Sequence, residues 1–244
     1  MPARRGWNAA SPSTARNLCE QADRHSCLYL KWMLERVEAG WVDVPNPMFR
    51  HVSDPLKRLT HVSVLPNDVL AIAWWSKNYA VYECFYGSFR RFPTQFFHFT
   101  INPRRGDLSW IEPDVPRIEE AIRQARFLAS QPGGAEMVAW RYDPIMFWSE
   151  GSQDRSSWDP RFFEEMCRCL SELGITHYVT SVADRYGKFE QRVRRNFPHV
   201  TLRDPAAEEI VALGDDMTQI ASVYGMQLMS CTEPTLRSVS SKEG

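Results

Sequence analysis

Hydrophobic and polar positions follow two different periods along this chain, and the switches between them mark out its elements. Residues 27–39, CLYLKWMLERVEA, place Leu30, Met33, Leu34 and Val37 on one helical face, and Gly40 follows where a C-terminal cap belongs. A short strand, WVDVP, comes next, ended by Pro45 and Pro47 around Asn46. In VSVLPNDVLAIAWWSKN the run Val69 to Trp75 is continuously apolar, the pattern of a strand covered on both faces, and it gives way to Ser76, Lys77 and Asn78. QFFHFTINP reads as a strand ending on Thr100 and Asn102. VPRIEEAIRQARFLAS then returns to the helical period, with Ile118, Ala121, Ile122, Ala125 and Leu128 in register.

MVAWRYDPI reads as the next strand, apolar at its start and ending on Arg141 and Asp143. Asp159 and Pro160 supply an N-cap and a first-turn proline for the helix RFFEEMCRCLSELG, whose inner stripe is Phe163, Met166, Cys167, Leu170 and Leu173 and whose stop is Gly174. HYVTSVAD is a strand ending on Ser181 and Asp184, and RYGKFEQRVRRNF puts Tyr186, Phe189, Val193 and Phe197 on the apolar side of a helix. A last helix, interrupted by Gly214, leads to the strand MQLMSCTEP, which ends on Cys231 and Glu233.

About six strands result, at least four followed by a helix, with no two-residue hairpin turn between neighbours; this order predicts βαβ units. Neither GxGxxG nor GxxxxGK[ST] occurs, so the phosphate signatures of the open-sheet nucleotide binders are missing. The expected fold is α/β, a partial or complete TIM-like (βα) barrel of about six parallel strands with outer helices. Residues 26–234 are expected to form this single domain, between a poorly ordered segment 1–25 and a flexible tail 235–244.

Composition narrows the picture further. With 244 residues, 43% of them hydrophobic and nine Trp, the chain has material for a buried core. Its formal net charge of −1 gives no global attraction to nucleic acid or an anionic membrane. The basic start MPARRGWNAASPSTARN has no apolar h-region, and no stretch approaches the roughly 18 apolar residues of a membrane span. Six scattered cysteines, Cys19, Cys27, Cys84, Cys167, Cys169 and Cys231, fit a reducing compartment, and a cytoplasmic location is expected.

Polar groups collect at one end of the strands: Ser76, Lys77 and Asn78; Thr100 and Asn102; Arg141 and Asp143; Ser181 and Asp184; Cys231 and Glu233. In (βα) barrels that end carries the binding face, so a shared polar pocket is expected, although any single strand also turns polar as it leaves a core. Lys77, Arg141, Asp143 and Asp184 are the candidate catalytic groups. Ser76, Asn78, Thr100, Asn102, Ser181, Arg185, Lys188 and Glu233 are the candidate ligand-binding groups.

Arg141 is a planar cation suited to carboxylate or phosphate, and Asp143 shares its side of an extended strand. The two either orient a ligand or staple the fold as an internal ion pair. Arg185, Lys188, Arg192 and Arg195 form a stripe that is either a solvated basic face or an anion site near a helix start. Cys167 and Cys169 diverge by about 200 degrees on a helix, which makes Cys167 a core residue rather than a metal ligand. His98 and His177 stand without an HExxH or HxH pattern, and no GxSxG elbow is present.

The ordered blocks NPMF, WWSKN, FHFTINP, AWRYDPI, SVADRYGKFEQRVRRNF and YGMQLMSCTEP resemble a bacterial family named domain of unknown function 1848, and the resemblance covers about residues 30–234. RYDPI and the Trp-Ser-Lys-Asn block are the specific ones. The resemblance implies kinship with radical S-adenosylmethionine barrels and spore photoproduct lyase, with S-adenosylmethionine and an iron–sulfur cluster held by C-terminal cysteines. Cys231 is the metal ligand so implied. Relatives have further cysteines where this chain runs TEPTLRSVSSKEG, and a cluster needs three or four thiolates. The leading expectation is therefore a cluster-free or truncated member, without a cofactor, that binds an anionic small molecule or nucleic acid at the C-terminal face of the strands. A radical enzyme using Cys231 and an inactive truncated copy are the alternatives.

Overall fold

The computed structural model describes residues 24–49, 51–54, 56–103 and 115–229. They cluster into two compact units: a smaller one taking in the described residues up to Ala73 and Asn78–Gln95, and a larger one taking in Trp74–Lys77 and the described residues from Phe96 on. The predicted N-terminal segment falls almost wholly outside the described residues, and Cys231, Glu233 and the tail 235–244 lie outside them entirely.

In the smaller unit, α1 (Arg24–Ala39) buries Leu30, Leu34 and Val37 as its period requires. It stops at Gly40, whose φ of +82° a side chain would resist and whose N–H closes on the Arg36 carbonyl at 2.9 Å. β1 (Trp41–Pro45) pairs antiparallel with β2 (Leu59–Ser63), a strand absent from the sequence reading. Every residue of β2 is exposed, so it carries no buried face for alternation to report.

β3 (Ile72–Ser76) begins in this unit and ends in the larger one. It corrects the reading of Val69–Trp75 as a strand covered on both faces: Leu70 and Trp75 are exposed and only Trp74 is buried. The next element is α2 (Ala80–Phe89), which the sequence reading passed over. Its buried Tyr82 donates to Gln95 Oε1 at 2.9 Å, and the Gln95 amide donates to the Phe89 and Phe92 carbonyls, so this interior polar group is satisfied.

The larger unit continues through β4 (Gln95–Thr100), which enters it at Phe96, then α3 (Ile118–Ala129), β5 (Val138–Ile145), β6 (Phe147–Glu150), β7 (Gln153–Ser156), α4 (Pro160–Ser171) and β8 (His177–Val182). It ends with α5 (Gly187–Asn196), β9 (Val200–Leu202), α6 (Ala207–Val223) and β10 (Gln227–Leu228). A mixed α/β arrangement results, in which five strands form a parallel sheet in the order β10-β8-β5-β4-β3. Among the described residues five parallel strands stand where about six are expected, because β1 pairs antiparallel with β2 instead.

A second, antiparallel sheet of order β7-β6-β9 was not foreseen. β6 and β7 are joined by the two residues Gly151 and Ser152, with Gly151 at φ +61°, which corrects the expectation of no such hairpin. This sheet shares a small core of Met146, Trp148, Val193 and Leu202 with α5. No described helix is long and apolar enough to cross a membrane.

Period two on β5 explains the main core. Trp140 and Tyr142 are buried with Phe163 and Tyr178, the Trp140 and Phe163 ring centres lying 5.0 Å apart, and the inner stripe of α4 adds Met166, Cys167 and Leu170. The polar atoms of this layer find partners: Trp140 Nε1 donates to the Ile101 carbonyl at 3.0 Å and Thr180 Oγ1 to the Tyr142 carbonyl at 2.8 Å. Tyr142 OH donates to the Ser157 carbonyl at 2.8 Å and accepts from the Asp159 N–H at 3.0 Å. Asp159 in turn caps α4 by accepting from the Phe162 N–H at 3.1 Å.

Candidate functional site

On the opposite face of β5 stand Arg141 and Asp143. The strand runs on to Ile145, so the two charges sit within it rather than beyond its end, and Arg141 pairs in register with Thr100 of β4 and Val179 of β8. Arg141 is 5% exposed. Its Nε donates to Asp143 Oδ2 at 3.0 Å and its Nη2 donates to the same oxygen, while Ser181 Oγ donates to Asp143 Oδ1. Asn102 closes the array through the backbone of Asp143, its Nδ2 donating to the carbonyl and its Oδ1 accepting from the N–H, both at 3.0 Å. The register with β8 shifts between Tyr142 and Ile145, where the Asp143–Pro144 peptide is cis.

Aromatic rings complete the surroundings of the guanidinium. Its Cζ lies 4.3 Å from the centre of the Trp75 ring, which also stacks on His98 at 5.0 Å. Burial, and then the Arg141 charge, hold the His98 imidazole below its ordinary pKa. Lys77 is also held below its ordinary pKa, because burial outweighs the attraction of Asp143. With Thr100 and Asn102 it lines a recess of about 10 Å³, the size of one water molecule.

A cavity of about 490 Å³ opens at the C-terminal ends of β5 and β8. Of the sequence-predicted residues, Asn102, Arg141, Asp143, Ser181 and Asp184 line it together, and Lys77 and Thr100 line the small recess that Asn102 shares with it. The ion pair is therefore satisfied internally and also forms part of the cavity wall. Ser76 ends β3 and lines neither space. Asn78 belongs to the smaller unit, where its Oδ1 accepts from the Ala80 N–H at 3.0 Å. Arg185 is held by Glu190 at 2.8 Å and Asp204 at 3.1 Å, and Lys188 is exposed; neither lines the cavity.

Residues absent from the predicted site also contribute, namely Met146, Ser157, Tyr186, Phe189 and Arg192. Tyr186 was expected on the apolar side of its helix, yet it is 61% exposed. The spacing 186, 189, 192 puts Tyr186, Phe189 and Arg192 at one edge of α5, a signal the sequence hides because Tyr186 and Phe189 match its apolar side and Arg192 its basic stripe. Trp75 was missed for the same reason.

The cysteines described with their side chains do not make a cluster site. Cys84, Cys167 and Cys169 are free, and burial pushes the Cys167 thiol up to about 12, which keeps it a core thiol. Among the described residues no group of three or more His, Cys, Asp or Glu is placed to hold a metal ion.

The family model described as Domain of unknown function (DUF1848) matches residues 23–243, nearly the whole chain. No curated protein and no solved structure matches it.

Proposed function

The chain belongs to the DUF1848 family, and from that premise we propose that it is a binding protein for a small anionic molecule, held in the cavity at the C-terminal ends of β5 and β8. The observation that carries this reading is the composition of that cavity, which combines the Arg141–Asp143–Ser181 network with an exposed Arg192 that has no ion-pair partner among the described residues. Arg141 is already engaged by Asp143 and shapes the wall, whereas Arg192 is the cation available to a ligand. The parallel sheet with its helices is in keeping with an incomplete (βα) barrel, where ligands collect at the C-terminal strand ends.

A small molecule is favoured over nucleic acid because the site is concave and Arg185, the first cation of the basic stripe, is neutralised by Glu190 and Asp204. Free thiols at Cys84, Cys167 and Cys169 support a reducing, cytoplasmic setting. The iron–sulfur reading depends on Cys231, which lies outside the described residues.

Titration calorimetry with inorganic phosphate, citrate, ribose 5-phosphate and the four ribonucleoside monophosphates tests this. At least one should bind saturably, and Arg192→Ala should weaken it roughly 10-fold or more while leaving the melting temperature unchanged. A panel with no saturable binding, or binding indifferent to Arg192→Ala, would sink the reading.

A further inference from the structure

Three groups around the cavity have no internal task. Among the described residues, the Arg192 guanidinium and the Asp184 carboxylate make no hydrogen bond or ion pair. The Tyr186 ring is 61% exposed, tilted beside Phe189 with ring centres 5.8 Å apart. A ring left this bare at the mouth of a cavity has apolar area that only a second flat surface covers well.

Each group selects a different part of a ligand. The guanidinium fork matches the oxygens of a phosphate, and unlike Arg141 it does not have to give up a buried partner to do so. A carboxylate accepts but does not donate, so Asp184 calls for paired hydroxyls or an amine rather than for a second anion. Tyr186, Phe189 and Arg192 come from successive steps of three around α5 and its N-cap, so a ring on Tyr186 and a phosphate on Arg192 are served by one helix edge. Inorganic phosphate or a short carboxylic acid would satisfy Arg192 and leave both the ring and most of the roughly 490 Å³ unused.

Resting on the reading of this cavity as an anion site, we propose that its ligand is a nucleoside monophosphate. The base stacks on Tyr186, the phosphate sits on Arg192, and ribose hydroxyls or a base amine donate to Asp184.

The test measures the tightest of the four common ribonucleoside monophosphates against ribose 5-phosphate and the matching nucleoside, on the full chain and on Tyr186→Leu and Arg192→Ala. Both residues are exposed, so both variants should keep the wild-type melting temperature. The nucleotide should bind at least about 10-fold more tightly than either fragment, and Tyr186→Leu should remove roughly that factor for the nucleotide while leaving ribose 5-phosphate unchanged. Arg192→Ala should weaken nucleotide and ribose 5-phosphate alike. Equal affinity for nucleotide and ribose 5-phosphate, or indifference to Tyr186→Leu, would overturn the nucleotide assignment and leave the anion site standing. Absence of binding by every anion would overturn both.

Discussion

On β5, Trp140 and Tyr142 point to one side of the sheet while Arg141 and Asp143 point to the other, so one strand of eight residues serves two environments. The aromatic side is closed by α4, and Phe163, Met166 and Cys167 are fully buried against it. The other side is nearly as well shielded at Arg141, but its contacts are charges, a serine hydroxyl, an asparagine amide and the Trp75 ring. Burial of apolar area stabilises the first side, each fully covered large side chain contributing about 1.5–3 kcal/mol. On the second side, attraction between the charges mostly offsets the cost of taking them out of water. Shielding alone thus does not identify a core: the buried ion pair lines a cavity, whereas the aromatic layer packs against α4.

The comparison is broken most directly on the aromatic side. Trp140→Ala should cost about 3–5 kcal/mol of unfolding free energy in a denaturant titration, and a cost below roughly 1 kcal/mol would mean that this layer is not where stability resides. Asp143→Ala should come next, at about 3 kcal/mol, because it strands a buried guanidinium. Replacing both charges, Arg141→Leu with Asp143→Leu, should cost less than Asp143→Ala alone. If the double variant is the worse of the two, the pair is a structural staple and the contrast between the faces fails.

Acidity separates the faces next, since the aromatic side has little to protonate. Below pH 6.5 the unfolded chain protonates His98 while the folded chain, with its imidazole pKa depressed by burial and Arg141, resists. Stability contributed by this group is therefore full above 6.5 and falls as pH drops from there toward the folded value. His98→Gln should flatten that fall in melting temperature between pH 7.5 and 5.5. An unchanged slope would show that His98 does not feel the polar face. Lys77, also depressed, acts at the other end: stability rises as pH climbs toward 10.5, and Lys77→Met should abolish that rise. Arg192→Ala should have the smallest effect on stability, within about 0.5 kcal/mol, although it is the variant expected to lose the ligand.

Segments whose period matched one buried face were legible. α3, α4, β4, β5 and β8 lie where alternation and capping residues put them, down to the Asp159 N-cap. β2 and β7 were not legible, because LTHVS and QDRS bury almost nothing and pair through backbone groups that any sequence offers. α2 hid behind the apolar run before it, and β6 lies between β5 and the Asp159 cap, a stretch for which the sequence predicts no element. Within the candidate site, Arg141, Asp143, Asn102, Ser181 and Asp184 were legible as polar groups at strand ends. Trp75 and Tyr186 were not, because an apolar ring reads as core wherever it lies.

By itself the sequence determined that Arg141 and Asp143 share a face opposite Trp140 and Tyr142, since side-chain direction along a strand alternates whatever surrounds it. It also determined which helices have one apolar side. Tertiary structure alone decided that Asn102, 41 residues away from Asp143, closes on its backbone, and that Arg185 is tied to Glu190 and Asp204 while Arg192 faces the cavity. Local periodicity orients a side chain relative to its own element. Its partner is chosen by which distant elements pack alongside, and that choice rests on the summed burial of the whole unit.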